Sequence, residues 1–157
     1  LYLPNGNPVD TDKFTYRQQW TERLLARTDA LLRSEVPFVL LGDFNLVPSD
    51  HDMYSPTALK GDAVIHPACR HRFRALKYKG LYDALETVHN GDTRGVYTYW
   101  GYRGGAWERG NGIRIDHVML EAAVADRLQG AGVHAHVRGW DTPSDHAPVW
   151  TRVRWEQ

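Results

Sequence analysis

Two rhythms of hydrophobic and polar positions run along this chain. Over residues 16–33, Trp20, Leu24 and Leu31, with Leu25 and Leu32 beside them, recur at helical spacing and predict one broad buried stripe. Thr15, with Gln18 three positions on, has the form of a capping box, and Pro37 requires the helix to have ended before it. Elsewhere the pattern is short and strand-like. Residues 1–3 read as the end of a strand running into a Pro-Asn-Gly-Asn-Pro loop, and residues 38–41 are continuously apolar and predict a buried strand. Residues 97–100 and 115–120 predict further strands, and 133–137 alternates as another. Residues 147–155 place Val149, Thr151, Val153 and Trp155 on one side of a last strand. Residues 81–89 and 122–131 predict short helices or turns. The stretches 46–62, 103–112 and 140–144 read as loops, and 64–79 has no decisive period. Short strands around one long helix predict an α/β sandwich with less covering layer than a free-standing sheet needs.

Composition narrows the class. At 157 residues, 42% hydrophobic and 24% charged, the chain has the length for one domain with a core and is neither disordered nor collagenous. No run of eighteen apolar residues exists to span a membrane. Its one cysteine, Cys69, reads as an inert thiol and fits a reducing, cytoplasmic compartment. Nineteen basic residues balance nineteen acidic ones, but unevenly: residues 1–56 hold 5 basic and 8 acidic, residues 57–157 hold 14 and 11. Lys60, Arg70, Arg72, Arg74, Lys77 and Lys79 cluster against Asp62 alone. A phosphate backbone could lie there, or the cluster could be a solvated basic surface.

Four polar groups stand beside apolar runs: Asn5, Asp43 with Asn45, Asp116 with His117, and Asp145 with His146. One such group usually caps a turn, and all four can be read that way. Four at comparable positions also suggest a shared site, because burying carboxylates is costly unless they are paired, hydrogen-bonded or metal-bound. Hard oxygen donors suit Mg²⁺, with Mn²⁺ possible, and not a structural zinc. These residue types fit metal-assisted hydrolysis of a phosphate ester, with a histidine as base and Asp116 as the natural carboxylate to orient it. Asp10, Asp12, Asp50 and Asp52 read as exposed loop residues, and His66, His71, His89, His134 and His136 show no zinc-like set.

Tyr2-Leu3-Pro4-Asn5-Gly6, Gly42-Asp43-Phe44-Asn45, Arg114-Ile115-Asp116 and Ser144-Asp145-His146-Ala147-Pro148-Val149 resemble, in order, the later motifs of the endonuclease/exonuclease/phosphatase superfamily. Residues 14–24 and 95–100 are similar more narrowly to its exodeoxyribonuclease III and apurinic/apyrimidinic endonuclease branch. The resemblance implies an α/β fold of DNase I type, a two-layer β-sandwich flanked by helices. Residues 1–157 are expected to be the C-terminal part of that domain, with its N-terminal portion absent. It implies that Tyr2 lies near the scissile phosphate and that Asn5 shapes the site. Asp43 would activate the nucleophile or protonate the leaving 3′ oxygen, and Asn45 would bind the target phosphate. Asp116 would orient His146, which stabilises transition-state charge or acts as base, while Asp145, with Asp43, would lie at the metal. Tyr99, Trp100, Ile113 and Ile115 match positions of an apolar pocket for a flipped-out abasic sugar, although a core role is expected for some of the four. Arg103, Arg109 and Arg114 could track phosphates or be plain surface arginines.

Two departures accompany the resemblance. His117 stands where the branch commonly carries a tyrosine or an apolar residue. The family's early asparagine and its principal Mg²⁺-binding glutamate have no counterpart, so an exposed apolar face is expected, to be covered by the missing half of the fold or by a partner chain. The expected activity is Mg²⁺-dependent phosphodiester hydrolysis on duplex DNA, as a 3′–5′ exonuclease, an abasic-site endonuclease or both, weak or lost in this fragment. The alternatives are a superfamily hydrolase acting on phospholipid, inositol phosphate or RNA, and a non-catalytic DNA-binding remnant.

Overall fold

A computed structural model describes residues 1–154, so the placement expected for Trp155 lies outside the described residues. Helix α1 spans Asp12–Arg33, one turn earlier than the capping-box pattern indicated, with Thr11 as N-cap and Thr15 inside the helix. Its most buried positions are Arg17, Thr21 and Thr28. Leu24 and Leu25 reach the core on the same broad face, while Trp20, Leu31 and Leu32 are half-buried. Polar residues are tolerated there because each threonine hydroxyl donates to the carbonyl four residues back, Thr21 to Arg17 at 2.9 Å and Thr28 to Leu24 at 2.8 Å.

Strand β1 (Val39–Asp43) pairs antiparallel with β3 (Asp116–Leu120), which pairs antiparallel with β2 (Tyr82–Asp83). Residues 1–3 add a short edge beside β1: Tyr2 bridges Asp43 in parallel, and Leu3 N–H donates to the Asp43 carbonyl at 2.8 Å. Helix α2 (Pro67–Tyr78) covers one face with α1. Between them, Leu40 and Met119 meet Phe44, Leu46, Phe73 and Leu76. The other face carries Val39, Leu41 and Tyr82. β1 is therefore not the fully buried strand that its apolar run indicated: Leu41 is 56% exposed.

Helix α3 (Ala84–Val88) follows β2, and α4 (Ala122–Ala125) follows β3. A second sheet pairs β4 (Leu128–Val133) with β5 (Val149–Val153). Its Leu128, Ala131 and Val153 pack on Val118 and Leu120. The strand expected at 133–137 thus lies earlier in the chain, and residues 135–139 form a 3₁₀ turn. Two glycines hid β4: at Gly132 a Cβ would fall 2.9 Å from the Trp150 ring, so the aromatic packs over bare backbone. Residues 97–100 form isolated bridges rather than a strand. Among the described residues no helix is long and apolar enough to cross a membrane.

Candidate active site

Asp43 ends β1, Asp116 begins β3, and the antiparallel register sets them directly opposite each other. Directly opposed residues share a face, so two carboxylates are forced together on the less covered side of the sheet. His146 meets this pair, its Nδ1 lying 2.9 Å from Asp116 Oδ2. A carboxylate only accepts, so Nδ1–H donates and Nε2 is left for a substrate.

The segment carrying His146 is sewn in place from two sides. Ala147 N–H donates to the Thr98 carbonyl and Trp100 N–H to the Asp145 carbonyl, both at 2.8 Å. Thr98, fully buried, accepts the backbone N–H groups of both Ile115 and Asp116 on its hydroxyl at 3.1 Å. Sequence reading passed over this residue. Its signal was a small hydroxyl amid the aromatics of Tyr97, Tyr99 and Trp100.

Asn45 sits in the left-handed region at φ 46° and is almost wholly buried. Its N–H donates to Asp43 Oδ1 at 2.6 Å, and its amide donates to the Leu3 carbonyl at 2.8 Å and to Asp43 Oδ2 at 3.1 Å. Asn5 donates to Asn45 Oδ1 at 3.3 Å. Tyr2 projects from the same edge, 65% exposed. Tyr99 stands beside His146 with ring centroids 5.0 Å apart. Asn5, Asp43, Asn45, Asp116 and His146, with Tyr2 at the rim, are therefore brought together at one end of the sheet.

The electrostatics follow from this crowding. Burial raises the Asp43 pKa, the Asn45 hydrogen bond opposes it, and the Asp116 charge adds to it. The hydrogen bond to Asp116 raises the His146 pKa above its ordinary 6.5, against burial and with help from the charges of Asp116, Asp43 and Asp145. A histidine raised in the folded state contributes stability that is complete below the unfolded pKa and lost as pH rises through the folded one. In an NMR titration of the imidazole, His146 is expected to titrate above 6.5 and to fall towards or below it in Asp116→Asn; an unchanged midpoint would count against the pair.

Among the described residues no three His, Cys, Asp or Glu side chains are grouped closely enough to hold a metal ion between them. The donors still fit Mg²⁺, which is commonly held by one or two carboxylates with substrate phosphate and water completing its shell. Asp43 and Asp145 both act on His146, and the acidic excess around that one imidazole suits a cation.

Beside the carboxylates opens a cavity of about 550 Å³, lined by Tyr99, Ile113, Tyr102, Arg103 and Arg109 among others. Two of the four expected pocket residues are not on this wall. Trp100 is buried with its ring 5.1 Å from Trp107, its carbonyl held by Arg138, and Ile115 lies in the core with Val47 and Val64. Trp100 faces away from Tyr99 because neighbouring side chains on extended backbone point opposite ways, whereas Ile115, two residues from Ile113 and in the same buried cluster, does not reach the cavity.

Arg114 is a larger correction. It is buried, with Nε 2.7 Å from Asp52 and Nη1 2.6 Å from Asp83, so it cannot track phosphates. Asp52, expected on an exposed loop, is buried with it and also accepts from Thr93 and Ser49. His117 closes the network, lying 2.9 Å from Asp83 and 3.0 Å from the Leu46 carbonyl. It points to the opposite face from Asp116 and does not touch the site. Burial would raise the pKa of Asp83, but Arg114 and His117 hold it well below the usual range.

Most of the basic cluster at 60–79 is likewise spoken for. Arg70 pairs with Asp50, Arg72 with Glu22, Lys77 with Glu86 and Lys79 with Asp29, at 2.5–2.9 Å. Such pairs make α2 a balanced surface rather than a phosphate track.

Known proteins resemble this chain over nearly all of its length. Residues 2–146 match the model of the Endonuclease/Exonuclease/phosphatase family. An exodeoxyribonuclease of Bacillus subtilis is 32% identical over 149 residues, which cover 95% of this chain and 56% of that protein. A 3′ phosphatase from Neisseria, solved with a product DNA hairpin, superposes with a TM-score of 0.90 at 36% identity, over 99% of this chain and 60% of that one. An AP endonuclease from Archaeoglobus fulgidus gives 0.85 at 31% identity, over 97% and 59%. The chain thus spans less than two thirds of the length of these relatives.

Proposed function

The chain belongs to the endonuclease/exonuclease/phosphatase family, and we propose that it carries the hydrolytic end of a Mg²⁺-dependent phosphodiesterase, with Mn²⁺ as a substitute, acting on duplex DNA at 3′ ends or 5′ to abasic sites. The observation that carries this reading is the opposed Asp43–Asp116 pair completed by His146. The relatives named as an exodeoxyribonuclease and an AP endonuclease support the substrate class.

The chemistry follows from the side chains. Asn5, exposed and with one amide N–H beyond its bond to Asn45, donates to the phosphate, and Asn45, whose two amide N–H groups go to Leu3 and Asp43, holds Asn5 and Asp43 in place for it. Nε2 of a protonated His146, held by Asp116, stabilises the charge that develops on the phosphoryl oxygens. Asp43, its pKa raised towards the working range, takes the proton from the attacking water. The new P–O bond forms, the bond from phosphorus to the 3′ oxygen breaks, and that oxygen collects a proton from solvent. A Mg²⁺ ion held by Asp43 and Asp145 would supply phosphate charge neutralisation and leaving-group stabilisation.

The exposed face of Val39, Leu41 and Tyr82 is continuous with the site, since Val39 and Leu41 alternate with Asp43 onto one side of β1. We propose that it takes the remainder of the fold that the relatives possess, within one chain or from a partner. The isolated 157-residue chain should therefore self-associate through this face; a monodisperse monomer in light scattering would contradict that.

Two assays test the substrate. The full-fold form, meaning this chain joined to that remainder, should cut an abasic-site duplex and leave a phosphoinositide intact; the reverse preference would overturn the reading. Arg103 and Arg109 are exposed on the cavity rim. Each Arg→Ala change should reduce the slope of log affinity against log salt for duplex DNA by about 1; unchanged slopes would remove them from the DNA surface.

A further inference from the structure

We infer that Arg17 is a positioning residue that sets Asn5 and Asn45 against each other, an assignment that rests on the proposed role of those two asparagines at the phosphate site. Arg17 lies in the first turns of α1 and is among the most buried side chains of the molecule, 1% exposed. Its guanidinium bonds to main-chain carbonyls from both catalytic segments. Nη1 donates to the carbonyls of Pro4, at 3.1 Å, and of Asn5, and Nη2 donates to that of Asn45 at 2.8 Å.

The two segments lie forty residues apart in sequence and otherwise meet through the Asn5–Asn45 amide contact, the Asn45–Leu3 bond and the short edge along β1. A charged donor on peptide carbonyls binds more firmly than a neutral one, and the planar fork fixes direction as well as distance. Asn45 sits in the left-handed region at φ 46°, and the Arg17 bond to its carbonyl adds a tie on the side away from Asp43, which accepts its N–H.

The surroundings are shaped around this cation. Gly6 sits at φ 82°, and a Cβ there would fall 2.5 Å from Arg17 Cδ. The loop after Asn5 thus closes onto the arginine stem only because residue 6 is glycine. One turn on, the Thr21 hydroxyl donates to the Arg17 carbonyl at 2.9 Å.

Arg17→Lys, Arg17→Met and Gly6→Ala in the 157-residue chain test the assignment by amide exchange. The Asn45 N–H, bonded to Asp43 Oδ1, should exchange about tenfold faster or more in Arg17→Met and Gly6→Ala, while the β1–β3 ladder keeps its protection. Arg17→Lys, which keeps a donor cation without the fork, should recover part of the loss. In the full-fold form, Arg17→Met should lower kcat about tenfold or more with KM little changed. Wild-type exchange at Asn45 in a folded Arg17→Met chain would overturn the inference. So would equal loss of protection at Asn45 and along the ladder in all three variants, which is what a merely stabilising side chain predicts. If Arg17→Met fails to fold, Arg17→Lys and Gly6→Ala decide between the same outcomes. If the wild-type full-fold form cleaves no phosphodiester, the proposed function falls, while the exchange measurement still decides whether Arg17 holds the two segments.

Discussion

His146→Ala in the full-fold form is expected to lower turnover on an abasic-site duplex by about 10²–10³-fold, the usual range for losing one donor to the charge of the transition state. Duplex binding should change far less. The expectation rests on Nε2 being the one ring nitrogen left for substrate once Nδ1 is tied to Asp116. Asp116→Asn keeps the shape but removes the charge that holds the imidazolium, so it should also lose rate, and its pH–rate profile should shift to lower pH. The sign follows from the raised His146 pKa: activity that needs the protonated ring is retained below that pKa and declines above it. A His146→Ala protein with near-normal turnover would remove the mechanism proposed here.

The largest stability effect is expected from Arg114, far from any substrate. Arg114→Met leaves Asp52 and Asp83 buried without their cation, and breaking a buried pair in this way costs about 3–5 kcal/mol. Asp83→Asn should cost less, because it removes one charge and keeps the shape. Both carboxylates are held below their ordinary 3.8: burial, the largest single effect, would raise them, and it is outweighed by Arg114 together with His117 at Asp83 and with Thr93 and Ser49 at Asp52. A depressed carboxyl contributes stability that is present above its unfolded pKa and lost as pH falls through the folded one. The network should therefore hold at neutral pH and fail in acid, below 3.8. Urea midpoints for wild type and Arg114→Met at neutral pH measure the difference; a shift worth less than about 1 kcal/mol would mean that water reaches and solvates the two carboxylates.

The α/β class and the polar residues that meet at one end of the sheet were legible in the sequence, while several elements and side-chain placements were not. Asp43, Asn45, Asp116 and His146 sit in short contiguous motifs, and the β1–β3 register then brings the first and third of them together. Helix α2 was within reach and was missed: Cys69, Phe73 and Leu76 keep helical spacing, His66 caps the start and Pro67 stands at its first position. The density of basic residues between them drew the reading towards phosphate, whereas their partners Glu22, Asp29, Asp50 and Glu86 come from elsewhere in the chain. Arg114 was misplaced for the same reason. Its acids stand 62 and 31 residues away, and no local pattern announces a buried triad assembled from three loops and strands. The roles of Arg17 and Thr98 are hard to read from residue type because each acts on the main chain of other segments, although Thr98 stands out as a small hydroxyl among aromatics.

In the proposed function these separated motifs form one phosphate-handling surface. Amide spectra of the 157-residue chain titrated with an abasic-site duplex in Mg²⁺ test it most directly. The largest shifts are predicted at Asn5, Asn45, Tyr99, Ile113 and His146, with α2 and the β4–β5 sheet unmoved. Shifts confined to α2 or to β4–β5, with the Asp43–Asp116 end of the sheet silent, would contradict it.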